Sequence, residues 1–407
     1  IGADGALQVE SEGPSPVAQF VDVLHQQVGL AFLEHEVAMP IMGAIALLYC
    51  IAIVSGTVVL LPSLVSDLFA LRVGKNLKRM WLDVHNVLGL FSLPFHLIMA
   101  LTAIVFAFHD QFYGAQGIAF GGAPRRGGPE AHGPPPPAQA PLSPVALVAA
   151  LERGAPGFVP VTFSFHGAPG EALEARVSGR DARYGVRGPT DGGAEIDPYT
   201  GRITDTVYMP GHQDGWSATV TSFFTLHFGS FGGAPVRWAY FLLGLAGALL
   251  FYTGNLLWVE SRRKKERKAG LPEQTRATRV LGALTVGVPL GCIAVISVTV
   301  AAAKLIGAGA SYGLHSAIYY AVFLAFTFYA LVRGAARSGV ELSVAAGVAT
   351  LLVPLASVIA SGHWRSAGDA ILVDLVALAG AGVLLMAMRS ARYRAQFGAR
   401  DSVWSAA

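Results

Sequence analysis

Long uncharged apolar runs are the feature that most constrains the fold of this chain. Each of six runs is long enough, at about 1.5 Å per residue, to cross a hydrocarbon core of about 30 Å. The runs are Ile41–Leu61, Asn86–Phe108, Trp238–Val259, Val280–Ala303, Leu314–Val332 and Leu342–Gly362. A seventh run, Ala370–Met388, is interrupted only by Asp374. The sequence therefore predicts an all-α polytopic membrane protein with about seven transmembrane helices.

The composition agrees with this fold class. Only 14% of the residues are charged and 53% are hydrophobic, whereas soluble domains carry about 25% charged residues. The net charge of +3 is small, and the basic residues are concentrated in short loops. We therefore expect the lipid bilayer as a partner and no nucleic acid.

The basic loops predict the orientation of the chain. Most Lys and Arg residues fall on one side of the membrane if every run crosses once, and that side is cytoplasmic by the positive-inside rule. The basic segments are 72–79, 262–279, 333–337 and 389–400. Residues 1–35 are then outside. We expect either that a signal peptide has been removed or that a transmembrane helix precedes Ile1.

A small folded domain is predicted between the second and third runs. Gly121–Pro141 is rich in Pro and Gly and is typical of an extended linker. "SPVALVAALERG" has apolar residues at helical spacing behind a capping Ser143. "VPVTFSFHG", "EALEARVSG" and "GAEIDPYTGRITDTVYM" alternate apolar and polar positions as half-buried strands do, and "DPYTG" has turn residues. The pattern predicts a helix with a small antiparallel sheet.

Two stretches of the sequence form an internal repeat. His25 in "LHQQVGL" precedes a run that ends in "VSGTVVLLP", and His227 in "LHFGSFGG" precedes one that ends in "YTGNLLWVE". In both, a histidine stands outside the membrane and a Ser/Thr–Gly pair stands near the inner face. The shared topology favours a duplication.

The chemistry of the chain is concentrated in its 11 histidines. The sequence has no HExxH motif, P-loop, nucleophile elbow or cysteine cluster. An imidazole within a membrane is costly unless it is paired, which makes it a functional candidate. Two imidazoles from different helices can ligate a haem iron axially, with the porphyrin against Phe and Leu side chains. His25 and His227 are the favoured ligands, because they occupy the same place in the internal repeat and because glycines and aromatic residues lie near them in the sequence.

His85 and His96 are further candidates on the second run. They are 11 residues apart, so one ideal helix would point them within about 20° of each other at a distance of about 16 Å. Pro94 is expected to disturb this geometry locally. Two haems at that separation could pass electrons across the bilayer.

Other polar residues receive simpler interpretations. Five histidines are interpreted as hydrogen-bonded boundary or surface residues, namely His35, His132, His166, His212 and His363. His109 and His315 remain open. Asp374 is either a proton or ion site, or it caps a neighbouring helix or pairs with an Arg.

Several of these stretches resemble the PepSY-associated transmembrane family, which includes bacterial inner-membrane ferric-siderophore reductases. The resemblance covers roughly residues 20–260. It is carried by "WLDVHNVLGLFSLPFHLIMALT" (Trp81–Thr102), "LHFGSFGG…YTGNLLW" and "IDPYTGRI". It implies a multi-pass protein of the bacterial inner membrane whose small α+β domain is PepSY-like and periplasmic.

The resemblance also implies a function. It implies a reductase with haem b, two haems being expected, that takes electrons from a donor and reduces a ferric siderophore to release Fe(II). By position, His25, His85 and His227 match family histidines. His25 and His227 are expected to hold an outer haem, and His85 with His96 an inner one. The family's first helix, with a His-x-x-x-Gly stretch, has no counterpart in this sequence, and "ALTA" stands where the family often has Thr–Gly.

Two other function classes remain open. One is a non-redox transporter of a ferric chelate or another solute that uses Asp374 and Lys304 for coupling; the other is a regulatory membrane protein whose PepSY-like domain binds partners. The predicted domains are a periplasmic segment with an amphipathic helix (1–35), two transmembrane helices with a basic loop (36–110), a linker with the PepSY-like domain (111–235), a third transmembrane helix (236–260), four further transmembrane helices (277–388) and a cytoplasmic tail (389–407).

Overall fold

The chain is mostly helical. The computed structural model describes residues 15–64, 77–120, 140–167, 172–188, 191–361 and 369–406. In these ranges the helices are α1 (Pro16–Gln26), α2 (His35–Leu60), α3 (Leu77–Phe91), α4 (Leu93–Ala107), α5 (His109–Phe120), α6 (Pro144–Gly154), α7 (Gly215–Phe228), α8 (Gly233–Lys268), α9 (Arg276–Ile306), α10 (Tyr312–Arg333), α11 (Ala335–Ser361) and α12 (Asp369–Phe397). Short 3-10 turns lie at Leu61–Ser63 and Gly307–Gly309.

The helices confirm the polytopic prediction. In the described part of the chain, six of them are long and apolar enough to cross a membrane, namely α2, α8, α9, α10, α11 and α12. The pair α3 and α4 passes the same test as one bent span, which would bring the number to seven. Many of their apolar side chains are exposed, as expected where lipid replaces water.

The second predicted run is not one straight helix. It breaks between Phe91 and Leu93, and its two halves are bent by 70°. Ser92 donates its hydroxyl hydrogen to the Leu88 carbonyl at the end of α3, and Pro94, in the first turn of α4, has no N–H to continue the ladder of α3. The prediction that His85 and His96 face the same way along one helix is therefore wrong.

The small domain matches its prediction closely. Strands β1 (Val159–His166), β2 (Glu174–Arg180), β3 (Gly192–Ile196) and β4 (Ile203–Tyr208) form an antiparallel sheet in sequential order. Helix α6 buries Leu147 and Leu151 against the sheet. Ser143 caps this helix by accepting a hydrogen bond from Ala146 N. In the "DPYTG" turn, Asp197 accepts one from Tyr199 N at 2.8 Å. The linker 121–139 lies outside the described residues.

The chain forms two compact units. The first unit contains residues 1–41, 65–87 and 249–407, and the second contains residues 42–64 and 88–248. In the first unit, α9 packs closely on α10 because small residues line the contact: a Cβ on Gly287 would lie 2.7 Å from the Cβ of Ala330. Asp374 on α12 accepts hydrogen bonds from Lys304 on α9 and Ser357 on α11. Asp374 therefore forms an ion pair, but its partner is Lys304 and not the arginine that was expected.

The local structure is consistent with the internal repeat. His25 lies in the last turn of α1 and His227 in the last turn of α7. After each helix the backbone turns with positive φ, at Val28 and Gly29 in the first case and at Gly229 in the second. A long apolar helix follows each turn. The same succession of a short helix, a turn and a long helix therefore occurs twice.

Candidate cofactor-binding site

His96 is a buried imidazole in the second unit. Its side chain is 4% exposed, and its Nε2 has no hydrogen-bond partner among the described residues. The ring lies against α8 at Gly247, where an added Cβ would be 2.7 Å from its Cε1 atom. The rings of Tyr49 and Phe95 stand edge-on to it. A buried nitrogen without a protein partner is unfavourable unless a ligand or a water molecule takes it, which makes His96 a candidate ligating residue.

His227 is oriented by a threonine. Its Nδ1 lies 2.9 Å from the Thr102 hydroxyl on α4. That hydroxyl already donates its single hydrogen to the Ile98 carbonyl at 2.8 Å, as threonines within helices commonly do. With that hydrogen on the Ile98 carbonyl, the contact favours the tautomer in which Thr102 accepts from His227 Nδ1–H and the lone pair of the imidazole is on Nε2. This is the tautomer that iron ligation through Nε2 requires.

The start of α7 fixes the helix that carries His227. Asp214 caps α7 by accepting hydrogen bonds from the backbone N–H and the hydroxyl of Ser217. The Ser217 hydroxyl, followed by the backbone N–H groups, holds the pKa of the Asp214 carboxyl below its usual value. The cap is therefore charged near neutral pH, where it also suits the positive end of the helix dipole. Phe106 adds a ring that stands edge-on to His227.

His85 repeats the same arrangement in the first unit. Its Nδ1 lies 3.1 Å from the Thr253 hydroxyl on α8. Thr253 donates its own hydrogen to the Leu249 carbonyl at 2.8 Å. His85 is thereby the donor at Nδ1 and carries its lone pair on Nε2. The neighbouring Gly254 presents no side chain to the ring, and an added Cβ would lie 3.5 Å from its Cε1.

The surroundings of His25 are more open. His25 is exposed on α1, and α1 is held to α10 by Phe20 and Leu24 in a core with Tyr319. His315 lies in the same region, beside the ring of Phe20. It is fully buried, and neither ring nitrogen has a hydrogen-bond partner among the described residues. His25 belongs to the first unit and His227 to the second, so their pairing on one haem stays a prediction.

The other histidines have simpler surroundings. His35 Nδ1 lies 3.4 Å from the Gln27 amide. His109 donates from Nδ1 to the Phe106 carbonyl at 2.7 Å and has Asp110 3.3 Å from Nε2, so both of its nitrogens are engaged. His166 and His212 are exposed in the small domain. His132 and His363 lie outside the described residues.

A cavity lies beside α7 in the second unit. Its volume is about 480 Å³, within the usual size range of small-molecule sites. The lining is mixed polar and aromatic and comprises Tyr184, Gly185, Gly211, Gln213, Ala218, Thr221, Ser222, Thr225, Leu226 and Phe231. Leu226, which precedes His227, belongs to this wall. The same helix therefore carries one wall of a cavity and a candidate ligand.

The residues present fit haem iron, which takes imidazole nitrogens from different helices and needs no cluster of ligating side chains. Across the described ranges, no three His, Cys, Asp or Glu side chains converge as a metal cluster. What the chain offers instead is a buried imidazole nitrogen at His96, a glycine cradle at Gly247 and two imidazoles fixed by threonines. The sequence pattern indicated the Thr253–Gly254 pair, but it gave no sign that Thr102 and Thr253 act as hydrogen-bond acceptors.

Comparison with known proteins gives one match. The model of the PepSY-associated TM region matches residues 3–261. No match was found among the curated proteins or the solved structures. The matched region includes His25, His85, His96 and His227, and it ends before α9.

Proposed function

The chain belongs to the PepSY-associated TM family, and on that premise we propose that it is a haem-containing reductase of the bacterial inner membrane that reduces ferric chelates. The observation that carries this proposal is the threonine-fixed tautomer of two histidines in separate units. The contacts favour donation from Nδ1 of both His85 and His227 to a threonine whose own hydroxyl hydrogen is directed at a backbone carbonyl. Both imidazoles are thus oriented by a threonine on a neighbouring helix and present an Nε2 lone pair, as axial ligation of iron requires.

The four candidate ligands would hold two haems of the b type. When bound, haem b supplies reversible one-electron chemistry. Of these ligands, His227 and His96 lie in the second unit, and His85 and His25 lie in the first. The residues of the chain orient the imidazoles through Thr102 and Thr253 and give the ring of His96 room through Gly247.

The proposed substrate is a ferric siderophore or another ferric chelate on the periplasmic side. One electron from a donor converts one Fe(III) to Fe(II), and hard oxygen ligands such as hydroxamates and catecholates hold Fe(II) more weakly. The free chelator and Fe(II) are the products. We propose that the small domain is periplasmic and that the cavity of Gln213 and Thr221 beside α7 receives part of the chelate, because its polar groups suit an oxygen-rich ligand.

The activity is tested with pre-reduced protein. The purified chain is reduced with dithionite, freed of excess reductant and mixed with a ferric hydroxamate while the haem α band and chelated Fe(II) are followed. We expect the haem to reoxidise with one Fe(II) formed per electron. The matched control is the gallium(III) complex, which has the same charge and a similar ionic size but is not reduced. Haem that stays reduced in the presence of the ferric complex would contradict the reductase proposal.

Removal of the Thr102 hydroxyl is expected to loosen the proposed site at His227. In Thr102→Val the His227 ring loses its acceptor, and we expect haem affinity to fall by about 10–100-fold, as for other outer-shell partners of ligating histidines. The remaining haem should show a shifted midpoint potential. Thr102→Ser keeps the hydroxyl and should restore both properties. Equal haem affinity and potential in Thr102→Val and the wild type would show that the hydroxyl does not position a ligand.

A further inference from the structure

A large cavity opens at the basic end of α8 and α12 in the first unit. Its volume is about 1160 Å³. Its walls come from the start of α3, the end of α8, the end of α12 and the segment that follows α12. The charged lining residues are Arg79, Glu260, Arg263, Lys264, Arg267 and Arg394. None of them is a candidate haem ligand.

The walls are held in place by hydrogen bonds. Arg263 is 1% exposed and donates to the Asp401 carbonyl at 2.7 Å and to the Pro272 carbonyl at 2.6 Å. Trp404 donates from Nε1 to the Glu260 carboxylate at 2.7 Å. The bonds to Asp401 and from Trp404 fasten the segment after α12 to α8, and the bond to Pro272 fastens the loop before α9. The shape of the cavity is therefore fixed by hydrogen bonds between separate segments of the chain and not only by contacts of long surface side chains.

The lining carries an excess of positive charge. Five cations face one carboxylate, that of Glu260. Three of the cations have nearby acids outside the lining: Arg79 pairs with Asp83, Arg263 with Glu266 and Arg267 with Asp401. Among the residues that the structure describes, Lys264 and Arg394 have no carboxylate within ion-pair distance. These two cations are therefore available to a ligand. The guanidinium carbon of Arg394 lies 5.7 Å from the centroid of the Trp81 ring, a cation–π contact that helps to orient the side chain.

The rim of the cavity is apolar and exposed. Tyr393 and Phe397 are 67% and 71% exposed at the end of α12, a helix that is long and apolar enough to cross a membrane. A ligand with a phosphate at one end and hydrocarbon at the other would satisfy both the cations and these rings. Basic pockets between membrane helices bind anionic lipid headgroups in this way.

We propose that this cavity binds the phosphate headgroup of an anionic phospholipid. Lys264 and Arg394 contact the phosphate, and Tyr393 and Phe397 border the acyl chains. The bound lipid contacts α3 and α8 on one side and α12 with the segment that follows it on the other. The family match contains α3 and the first part of α8. The proposal does not depend on the haem assignment, since none of its residues is a candidate ligand.

The test is lipid retention by the full chain in a neutral detergent, followed by native mass spectrometry. Delipidated protein is titrated with cardiolipin, phosphatidylglycerol, phosphatidylcholine or inorganic phosphate. We expect adducts with the two anionic lipids at concentrations where phosphatidylcholine gives none. The double variant Lys264→Gln/Arg394→Gln should need about thirtyfold more anionic lipid for equal occupancy, given about 1 kcal/mol for each of the two basic residues.

Two further variants serve as matched controls. Arg276→Gln/Arg279→Gln removes two exposed cations at the start of α9 that do not line the cavity, and it should bind lipid like the wild type. Lys264→Arg/Arg394→Lys keeps both charges and should retain most of the lipid binding. It therefore controls for misfolding caused by substitution at these two positions. Equal lipid retention by the Gln double variant and the wild type would overturn the proposal. Inorganic phosphate that binds as strongly as the lipids would also overturn it and would assign the site to a soluble phosphate.

Discussion

Replacing Gly247 with alanine is expected to remove about half of the haem from the purified protein, because one of two proposed haem sites is blocked. The added Cβ would lie 2.7 Å from Cε1 of His96, well inside van der Waals contact. Position 247 is on a helix and the neighbouring atom belongs to a buried ring, so the clash can be relieved only by a shift of that ring. The imidazole is then displaced from its place. The measurement is a pyridine haemochrome count per protein chain.

Gly244 provides a matched control for this variant. It lies three residues before Gly247 on the same helix, and an added Cβ there meets nothing within 4 Å. Gly244→Ala should keep the full haem content, and its effect on helix stability should be slightly favourable, because alanine has the higher helix propensity. If Gly247→Ala retains as much haem as Gly244→Ala, His96 is not a ligand.

Breaking the ion pair between Lys304 and Asp374 should cause a large loss of stability. The two side chains are 22% and 7% exposed, and Lys304 Nζ lies 2.6 Å from Asp374 Oδ1 and from Ser357 Oγ. In Asp374→Asn the lysine charge stays in place without its counter-ion. We expect the free energy of unfolding of the α9–α12 group to fall by about 3–5 kcal/mol, as when one partner of a buried pair is removed.

The double variant Lys304→Met/Asp374→Leu should recover most of that loss, since neither charge remains to be desolvated. Arg333 and Glu341 give an exposed comparison: they are 39% and 36% exposed with a contact of 2.6 Å, and Glu341→Gln should cost no more than about 1 kcal/mol. Thermal unfolding in detergent measures all three. A loss in Asp374→Asn no larger than in Glu341→Gln would contradict the structural role of the pair.

The membrane helices could be predicted from the sequence because the requirement they meet is local. A transmembrane helix must hydrogen-bond its own backbone polar groups and expose apolar side chains over about 20 consecutive residues. Both properties depend on one continuous stretch of sequence. The capped helix at Ser143 and the turn at Asp197 were predictable for the same reason. Their hydrogen bonds reach only two or three residues along the chain.

The break between α3 and α4 could be predicted only in part. Pro94 indicated a disturbance, but proline within a run can either kink a helix slightly or end it, and surrounding helices decide which. The hydrogen bonds of His85 with Thr253 and of His227 with Thr102 could not be predicted, because the partners are 168 and 125 residues apart in sequence. The ion pair of Asp374 with Lys304 could not be predicted from the sequence either, because the two residues are 70 positions apart.

The most direct test of the proposed function is an absorption spectrum of the detergent-purified protein from haem-replete cells. We expect a Soret band in the oxidised state and, after addition of dithionite, the α band of haem b with two haems per chain. His96→Ala and His227→Ala should each lose haem, whereas His166→Ala, on an exposed strand of the small domain, should lose none. A protein without these bands would contradict the haem-reductase account.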